Sequence, residues 1–157
     1  MKKMWMAIAC CIGISGAVQA QDWKSYSGVG CLPIQETQDI RRSLGGISNW
    51  DNTSGTFYCP LVKDIAAANP NGLQRVNVRI FNNHSTAVTR CVLASRNADG
   101  VTLSTDSATC PVGIGACSLN LGPLATINGS NAALYCILPE RQGARKTIIR
   151  SYSMSEI

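Results

Sequence analysis

Short runs of alternating apolar and polar residues recur along the chain, and the clearest run lies at residues 76–80. Valine or isoleucine occupies every second position there, with Asn77 and Arg79 between them, which predicts a strand buried on one face. Residues 82–85 are turn formers, and residues 86–93 are again rich in β-branched side chains. The two runs and the turn between them predict a β-hairpin.

Further short strands are predicted between segments rich in Gly, Asn, Asp and Ser. The predicted strands are 28–34, 47–50, 56–62, 101–103, 118–121, 132–138 and 147–154. Residues 21–27 are expected to form a loose start, and the one predicted helix is a short turn over 64–69, stopped by Pro70. Many short strands with almost no helix predict a single antiparallel β-sandwich, Greek-key or jelly-roll-like, over residues 21–157.

The composition favours the same class of fold. Only 15% of the residues are charged, against about 25% in a typical globular domain. Serine, threonine and asparagine take the place of charge, which favours short strands joined by polar turns. The net charge is +5 and is spread along the chain. A nucleic-acid partner is therefore not expected, because it would require a concentrated basic stripe.

Residues 1–20 have the layout of a secretory signal peptide. Lys2 and Lys3 form a positive start, an apolar stretch follows, and Ala20 provides a small residue before the predicted cut. Removal of this leader leaves the domain at residues 21–157. The protein is therefore expected to be secreted or periplasmic.

The leader also contains Cys10 and Cys11, and a cysteine after an apolar run can be a lipid-attachment site. The apolar run before them is shorter than the usual leader core, so release into the periplasm or medium is the favoured interpretation. No later stretch has about 18 consecutive apolar residues. The mature chain is accordingly predicted to have no transmembrane segment.

Cysteine usage is the strongest compositional signal. An even number of cysteines behind a secretion signal predicts disulfides formed in an oxidising compartment. Six cysteines allow 15 pairings, and the sequence alone does not select one. The pairing ranked first is Cys31–Cys59, Cys91–Cys136 and Cys110–Cys117. The last pair flanks a short, glycine-containing segment that can close on itself, the second would join adjacent core strands, and the first is the remaining pair. Leucine follows Cys59, Cys91 and Cys136 two residues later, which predicts that these cysteines face the core.

No cofactor or metal is expected. The chain has one histidine and no Cys-x-x-Cys pair, and structural zinc sites need ligands of these types at close spacing. The Gly-x-Gly sequences at 28–30 and 113–115 are not extended into a dinucleotide-binding motif.

No catalytic residue is assigned from the sequence. His84 lies among turn formers and is expected to be a solvated loop residue and not a general base, since no nucleophile motif accompanies it. The Asp and Glu residues are few, and their spacing does not indicate a pair that would face each other across a cleft.

One basic segment and a few aromatic residues could contact a ligand. The basic segment contains Arg141, Arg145, Lys146 and Arg150. It is expected to be a solvated loop, and the alternative is contact with an acidic surface such as an anionic glycan or lipid headgroups. The aromatic candidates for glycan contact are Trp23, Tyr26 and Trp50, of which Trp50 could equally belong to the core.

Several short elements together define a resemblance. They are Cys31-Leu32-Pro33, residues 47–49, Tyr58-Cys59-Pro60-Leu61, Asn82-Asn83, Arg90-Cys91-Val92-Leu93 and Tyr135-Cys136-Ile137-Leu138-Pro139. With the leader, they resemble the small, uncharacterised exported bacterial all-β proteins with paired cysteines. The resemblance implies an exported sandwich and no activity.

The leading functional hypothesis is an exported, non-enzymatic protein that binds a surface glycan or a partner protein of the envelope. It follows from the missing catalytic constellation and from a fold class that presents loops and sheet faces. Two alternatives remain open: a secreted hydrolase whose acidic residues are brought together by folding, and a structural subunit of the envelope or matrix.

Overall fold

A computed structural model of the protein describes residues 22–62, 73–113, 115–124 and 130–156. In these ranges the chain forms β-strands and one short 3₁₀ turn at Gly28–Gly30, with no α-helix. The strands are β1 (Asp22–Ser27), β2 (Leu32–Pro33), β3 (Ile40–Ser43), β4 (Gly46–Asn49), β5 (Gly55–Pro60), β6 (Leu73–Asn82), β7 (Thr89–Arg96), β8 (Thr102–Cys110), β9 (Gly115–Leu121), β10 (Asn131–Leu138) and β11 (Thr147–Glu156). The expected leader and the expected helix at 64–69 lie outside the described residues.

The strands form two antiparallel sheets that pack face to face. Sheet A has the order β3-β4-β11-β6-β9, with β1 also paired to β11. Sheet B has the order β2-β5-β10-β7-β8. Because most neighbouring strands are distant in sequence, the chain crosses repeatedly between the sheets, as in Greek-key sandwiches. The predicted disulfide-reinforced β-sandwich is confirmed.

The core lies between the inner faces of the two sheets and follows the alternation in the sequence. Val76, Val78 and Ile80 of β6 are buried, while Asn77 and Arg79 point to the other face. A strand places successive side chains on opposite faces, so an alternating run buries one set only. Cys59, Cys91 and Cys136 are also fully buried, as their spacing to leucine predicts.

The prediction that β6 and β7 form a hairpin is wrong. Strand β6 lies in sheet A between β11 and β9, whereas β7 lies in sheet B between β10 and β8. The connection between them therefore crosses the sandwich. Alternation of apolar and polar residues indicates only that a strand has one buried face. The apolar faces of β6 and β7 pack into the same core from opposite sides.

Three further predictions about strands also fail. In the strand predicted over 28–34, residues 28–30 form the 3₁₀ turn and β2 covers only Leu32–Pro33. Residues 22–27 of the expected loose start instead form β1, which pairs along its whole length with β11. Strand β8 continues from Thr102 to Cys110 instead of ending after a few residues. Strand β1 contains two Ser and one Lys, and β8 contains five Ser or Thr. Their polar composition does not indicate the pairing that the backbone makes with a neighbouring strand.

Three disulfides join the same cysteines as the sequence-based scheme. They are Cys31–Cys59, Cys91–Cys136 and Cys110–Cys117. Cys31 directly precedes β2 and Cys59 lies on β5, so the first disulfide stays within sheet B. The second does so too, since Cys91 and Cys136 are direct partners on adjacent strands. Only Cys110–Cys117 connects sheet B to sheet A, through the ends of β8 and β9.

Two buried asparagines fasten strand ends of sheet A to loops of the other sheet. The Asn82 Nδ2 group donates to the carbonyl oxygens of Ala87, Cys110 and Pro111 at 3.2, 3.3 and 2.9 Å. Its Oδ1 accepts from the backbone N–H of His84 at 3.1 Å and from the Thr147 hydroxyl at 2.9 Å. One side chain thus holds the ends of three strands together.

Asn49 repeats this arrangement at the end of β4. Its Nδ2 donates to the carbonyl oxygens of Thr53, Leu138 and Pro139. Its Oδ1 accepts from the backbone N–H two residues later, Asp51, at 3.0 Å. In both cases the amide satisfies carbonyls beside an X–Pro bond, where proline offers no backbone donor of its own.

Candidate functional site

The outer face of sheet A, away from the core, is polar over most of β1, β6 and β9 and over the second half of β11, whereas Ile148 and Phe81 form an apolar part of it. The strand register aligns its side chains in rows across β1, β11, β6 and β9. The rows are Ser27–Ser151–Arg79–Ser118, Ser25–Ser153–Asn77–Asn120 and Trp23–Ser155–Arg75. We call these residues the polar face. Residues two apart along a strand share a face and lie about 7 Å apart, so the rows form a regular grid of hydroxyl, amide and guanidinium groups. Ser155 is the exception in this grid, because it is fully buried.

A cavity of about 230 Å³ opens on the polar face. It is lined by Ser25, Asn77, Arg79, Ser151, Tyr152 and Ser153. Small-molecule sites in proteins commonly enclose about 300–1,000 Å³, so this cavity suits one part of a ligand. The rest of such a ligand would lie along the rows on either side.

Asn77, at the middle of the grid, is held in place by its neighbours on β9. Its Nδ2 donates to Ser118 Oγ at 2.7 Å and to Asn120 Oδ1 at 2.8 Å, and its Oδ1 accepts from the Ser118 hydroxyl at 3.0 Å. These bonds fix the orientation of the amide before any ligand arrives. Preorganised groups lose less conformational entropy on binding.

The three aromatic candidates have different environments. Trp23 is 49% exposed and begins one row of the polar face. Tyr26 is partly buried and stacks on Tyr152, with ring centroids 5.0 Å apart and planes at 15°. Trp50 is partly buried next to three cations. Only Trp23 therefore offers a free aromatic surface beside the grid.

Tyr152 supports the floor of the cavity from the core side. Its hydroxyl donates to the Pro60 carbonyl at 2.9 Å, across the sandwich. Burial, with smaller contributions from Tyr26 and Tyr58, raises the pKa of Tyr152 to about 12. This phenol therefore remains a neutral donor, and its role is structural.

Trp50 is the centre of a basic cluster at the other end of the same face. The guanidinium carbons of Arg41 and Arg141 lie 3.5 and 5.1 Å from the ring centroid, and Lys146 Nζ lies 6.0 Å from it. The indole Nε1–H donates to Ser48 Oγ at 3.0 Å. The predicted basic loop thus shares this aromatic contact with β3.

His84 differs from the sequence prediction, because it is buried and not solvated, with only 2% of its surface exposed. Its Nδ1 accepts from the backbone N–H groups of Ala87 at 2.8 Å and Thr86 at 3.2 Å. Its Nε2 faces Glu140 Oε1 at 3.6 Å. The imidazole replaces missing backbone partners in the loop after β6, and this role explains its burial.

Within the ranges that the structure covers, no group of three or more His, Cys, Asp and Glu side chains is placed to hold a metal ion. None of the helical segments described is long and apolar enough to cross a membrane.

Sequence reasoning missed the central residues of the polar face, Asn77, Arg79 and Ser153. A signal was available in the alternating serines of β11, where Ser151, Ser153 and Ser155 separate the core residues. That pattern shows which residues share a face. It does not show that β6 and β1 place their own polar residues beside them.

No protein-family model and no curated protein matches the chain. Among solved structures, it is similar to the CBM36-1 domain of a multidomain xylanase from the hindgut metagenome of Trinervitermes trinervoides, with 10% identity, a TM-score of 0.45, and coverage of 87% of this chain and 98% of that one. It is also similar to a family 11 carbohydrate-binding module from Clostridium thermocellum in complex with a β-1,3-1,4-mixed-linked tetrasaccharide, with 13% identity, a TM-score of 0.43, and coverage of 90% and 91%. At these scores the similarity does not bear on what this chain binds.

Proposed function

We propose that the protein is an exported, non-enzymatic β-sandwich that binds a glycan on the polar face of sheet A. The observation that carries the proposal is the grid of hydroxyl and amide groups around a cavity of about 230 Å³. Four adjacent strands contribute to it, so the backbone ladder sets the spacing of the groups.

The chemistry of the polar face suits a sugar better than a protein surface. Ser hydroxyls and Asn amides both donate and accept hydrogen bonds, as the hydroxyl groups of a sugar do. Protein–protein interfaces instead have a core of apolar and aromatic side chains. Trp23 at the edge of the grid adds a flat surface on which the C–H face of a sugar ring could pack.

Part of the polar face is held in place before a ligand binds, which favours binding. Its side chains are mostly short, and Asn77 is already bonded to Ser118 and Asn120. Short or fixed side chains lose little rotamer freedom when a ligand is bound.

Export is part of the proposal. The leader-like residues 1–20 and the three disulfides support a secreted or periplasmic location, because disulfides persist mainly in oxidising compartments. Cell fractionation followed by N-terminal sequencing tests this part, and an uncut chain with free thiols in the cytosol would contradict it.

The binding test compares retention on a glycan array for the wild type, Asn77→Ala and Ser153→Ala. Ser107→Ala is the matched control, since Ser107 lies on the outer face of sheet B, paired with Val92. We expect each polar-face variant to lose about fivefold or more in affinity, as expected for a lost hydrogen bond, while the control binds as the wild type does.

The result that would contradict the proposal is either no retention on any glycan or equal loss in the control variant. Release of reducing ends from a bound glycan would instead favour the hydrolase alternative. Concentration-dependent assembly into large particles without glycan retention would favour the structural alternative.

A further inference from the structure

We propose that the ligand of the polar face is an acidic polysaccharide, and that the Trp50 cluster and the arginines of sheet A bind its carboxylate or sulfate groups. This inference rests on the proposed function and adds the charge of the ligand and the residues that recognise it. The class of ligand follows from three observations on the described residues.

The first observation is the charge of the face. Arg75 and Arg79 project from β6 on the outer side, and Arg150, at the bulge of β11, lies over the ring of Phe81 at 5.2 Å. None of the described residues in the three rows is acidic. An outward field of one sign attracts a ligand of the opposite sign.

The second observation is the Trp50 cluster, where Arg41, Arg141 and Lys146 surround one indole. Among the described residues, none of these three cations forms an ion pair with a carboxylate. Cation–π contact with Trp50 offsets part of their mutual repulsion, and a bound anion would offset the rest.

Two acids near the cluster make other contacts. Asp51 Oδ1 accepts from the backbone N–H of Asn52. Glu140 faces His84 through Oε1 and accepts from the Ser54 hydroxyl through Oε2 at 3.3 Å. Neither acid forms an ion pair with the cations around Trp50, and an external anion would supply the missing partner.

The third observation is that the cluster and the cavity belong to one surface. Strand pairing aligns Arg41 with Ser48, Ser48 with Ile148, and Ile148 with Phe81. This row lies beside the row of Arg79, at the spacing of about 7 Å between residues two apart on a strand.

The spacing of the cations favours a polymer with repeated charges. Arg75 and Arg79 are four residues apart on β6, or about 13 Å, and Arg41 lies at the far side of sheet A beyond β11. A single small anion cannot reach all of these groups. A polymer that covers the face contacts the cavity with its hydroxyls and the guanidinium groups with its acids, since the planar fork of arginine matches oxyanions such as carboxylate in a bidentate manner.

The test uses pairs of polysaccharides with the same backbone and different charge. Polygalacturonate is compared with its methyl-esterified form, and dextran sulfate with dextran, so the two pairs distinguish carboxylate from sulfate. The oxidised wild-type protein is expected to bind at least one charged form about tenfold or more tightly than its neutral counterpart.

Arg41→Gln and Arg79→Gln test the residues, with Arg90→Gln as the matched control on the outer face of sheet B, where Arg90 bonds Ser107 at 3.2 Å. We expect each of the first two changes to weaken binding of the charged polysaccharide about tenfold, as for a lost charge-assisted hydrogen bond. Arg90→Gln should remain within about twofold, because its position does not face the ligand. Thermal unfolding of each variant verifies that the fold is retained.

Equal binding of charged and neutral forms, with losses only in Asn77→Ala and Ser153→Ala, would overturn the acidic ligand and leave glycan binding intact. No retention on any polysaccharide would overturn both proposals. Equal affinity for single-stranded DNA or for anionic phospholipid vesicles, lost to the same extent in Arg90→Gln, would show unspecific charge attraction and would also overturn the inference.

Discussion

Replacement of Asn82 by aspartate changes one NH₂ group into an oxygen and keeps the shape of the side chain. Asn82 has no exposed surface, and its Nδ2 faces the carbonyl oxygens of Ala87, Cys110 and Pro111. In Asn82→Asp an ionised carboxylate would face these three acceptors with no donor between them. The substitution therefore tests whether this amide holds the strand ends together.

The expected loss follows from the number of broken bonds. A buried charge left without its partner costs about 3–5 kcal/mol, which is a large part of the 5–15 kcal/mol that stabilises a typical domain. Thr147→Val removes only the hydroxyl that donates to Asn82 Oδ1 and should cost about 1 kcal/mol. Asn77→Ala lies on the solvent-facing side of the same strand. It should cost less than about 1 kcal/mol because water takes the place of the lost amide.

Urea unfolding of the oxidised variants, followed by tryptophan fluorescence, measures these free energies when the slope is unchanged. The loss in Asn82→Asp should shrink between about pH 7 and pH 4, since a protonated carboxyl again offers one donor. A free energy of unfolding within about 1 kcal/mol of the wild type at pH 7 would refute the role assigned to Asn82.

Three further predictions concern pH, backbone and covalent links. The raised pKa of Tyr152, about 12 against 10.0, makes the contribution of this residue to the free energy of unfolding fall by at most about 2–3 kcal/mol as pH rises from about 10 to 12. Below pH 10 this contribution is fully present, and in alkaline urea titrations the fall in Tyr152→Phe should be smaller than in the wild type by this amount. Gly46→Ala should lower the free energy of unfolding by more than about 2 kcal/mol, because Gly46 has φ 122° and a Cβ there would collide with the backbone of β11. The control Gly100→Ala, at φ 79° in open space, should cost only about 1 kcal/mol. Equal losses in thermal unfolding would contradict the collision. Replacement of both Cys110 and Cys117 by alanine opens a loop with a sequence separation of 7 and should cost about 2 kcal/mol in the chain-entropy account, and a change below about 0.5 kcal/mol in urea unfolding would contradict it.

The amino-acid pattern alone was sufficient to predict several strands and their buried faces. Val76, Val78 and Ile80 are core residues because a strand has a period of two and because the transfer of apolar side chains out of water is favourable. The cysteine pairs could also be ranked, since a segment such as that between Cys110 and Cys117 can close locally. These are properties of short stretches of chain, and they do not depend on which strand lies alongside.

The partners of each strand were decided only by the tertiary structure. Strands β6 and β7 have the alternation of a hairpin, yet they lie in opposite sheets, because many pairings satisfy the same backbone donors and acceptors. Burial of the single histidine, His84, likewise depends on the loop that folds over it. Its sequence neighbours are turn formers and do not reveal this burial.

For the candidate site, too, the sequence determines which face a side chain is on, and the tertiary structure determines its neighbours. The alternation in β6 and in β11 shows that Asn77 and Ser153 each face away from the core. Only the register of β1, β11, β6 and β9 shows that they stand side by side with Ser25 and Asn120. A one-residue slip in that register would turn these side chains to the other face. The physical reason is that the ligand-sized grid is a property of strand alignment, and hydrogen bonds between distant parts of the chain determine that alignment.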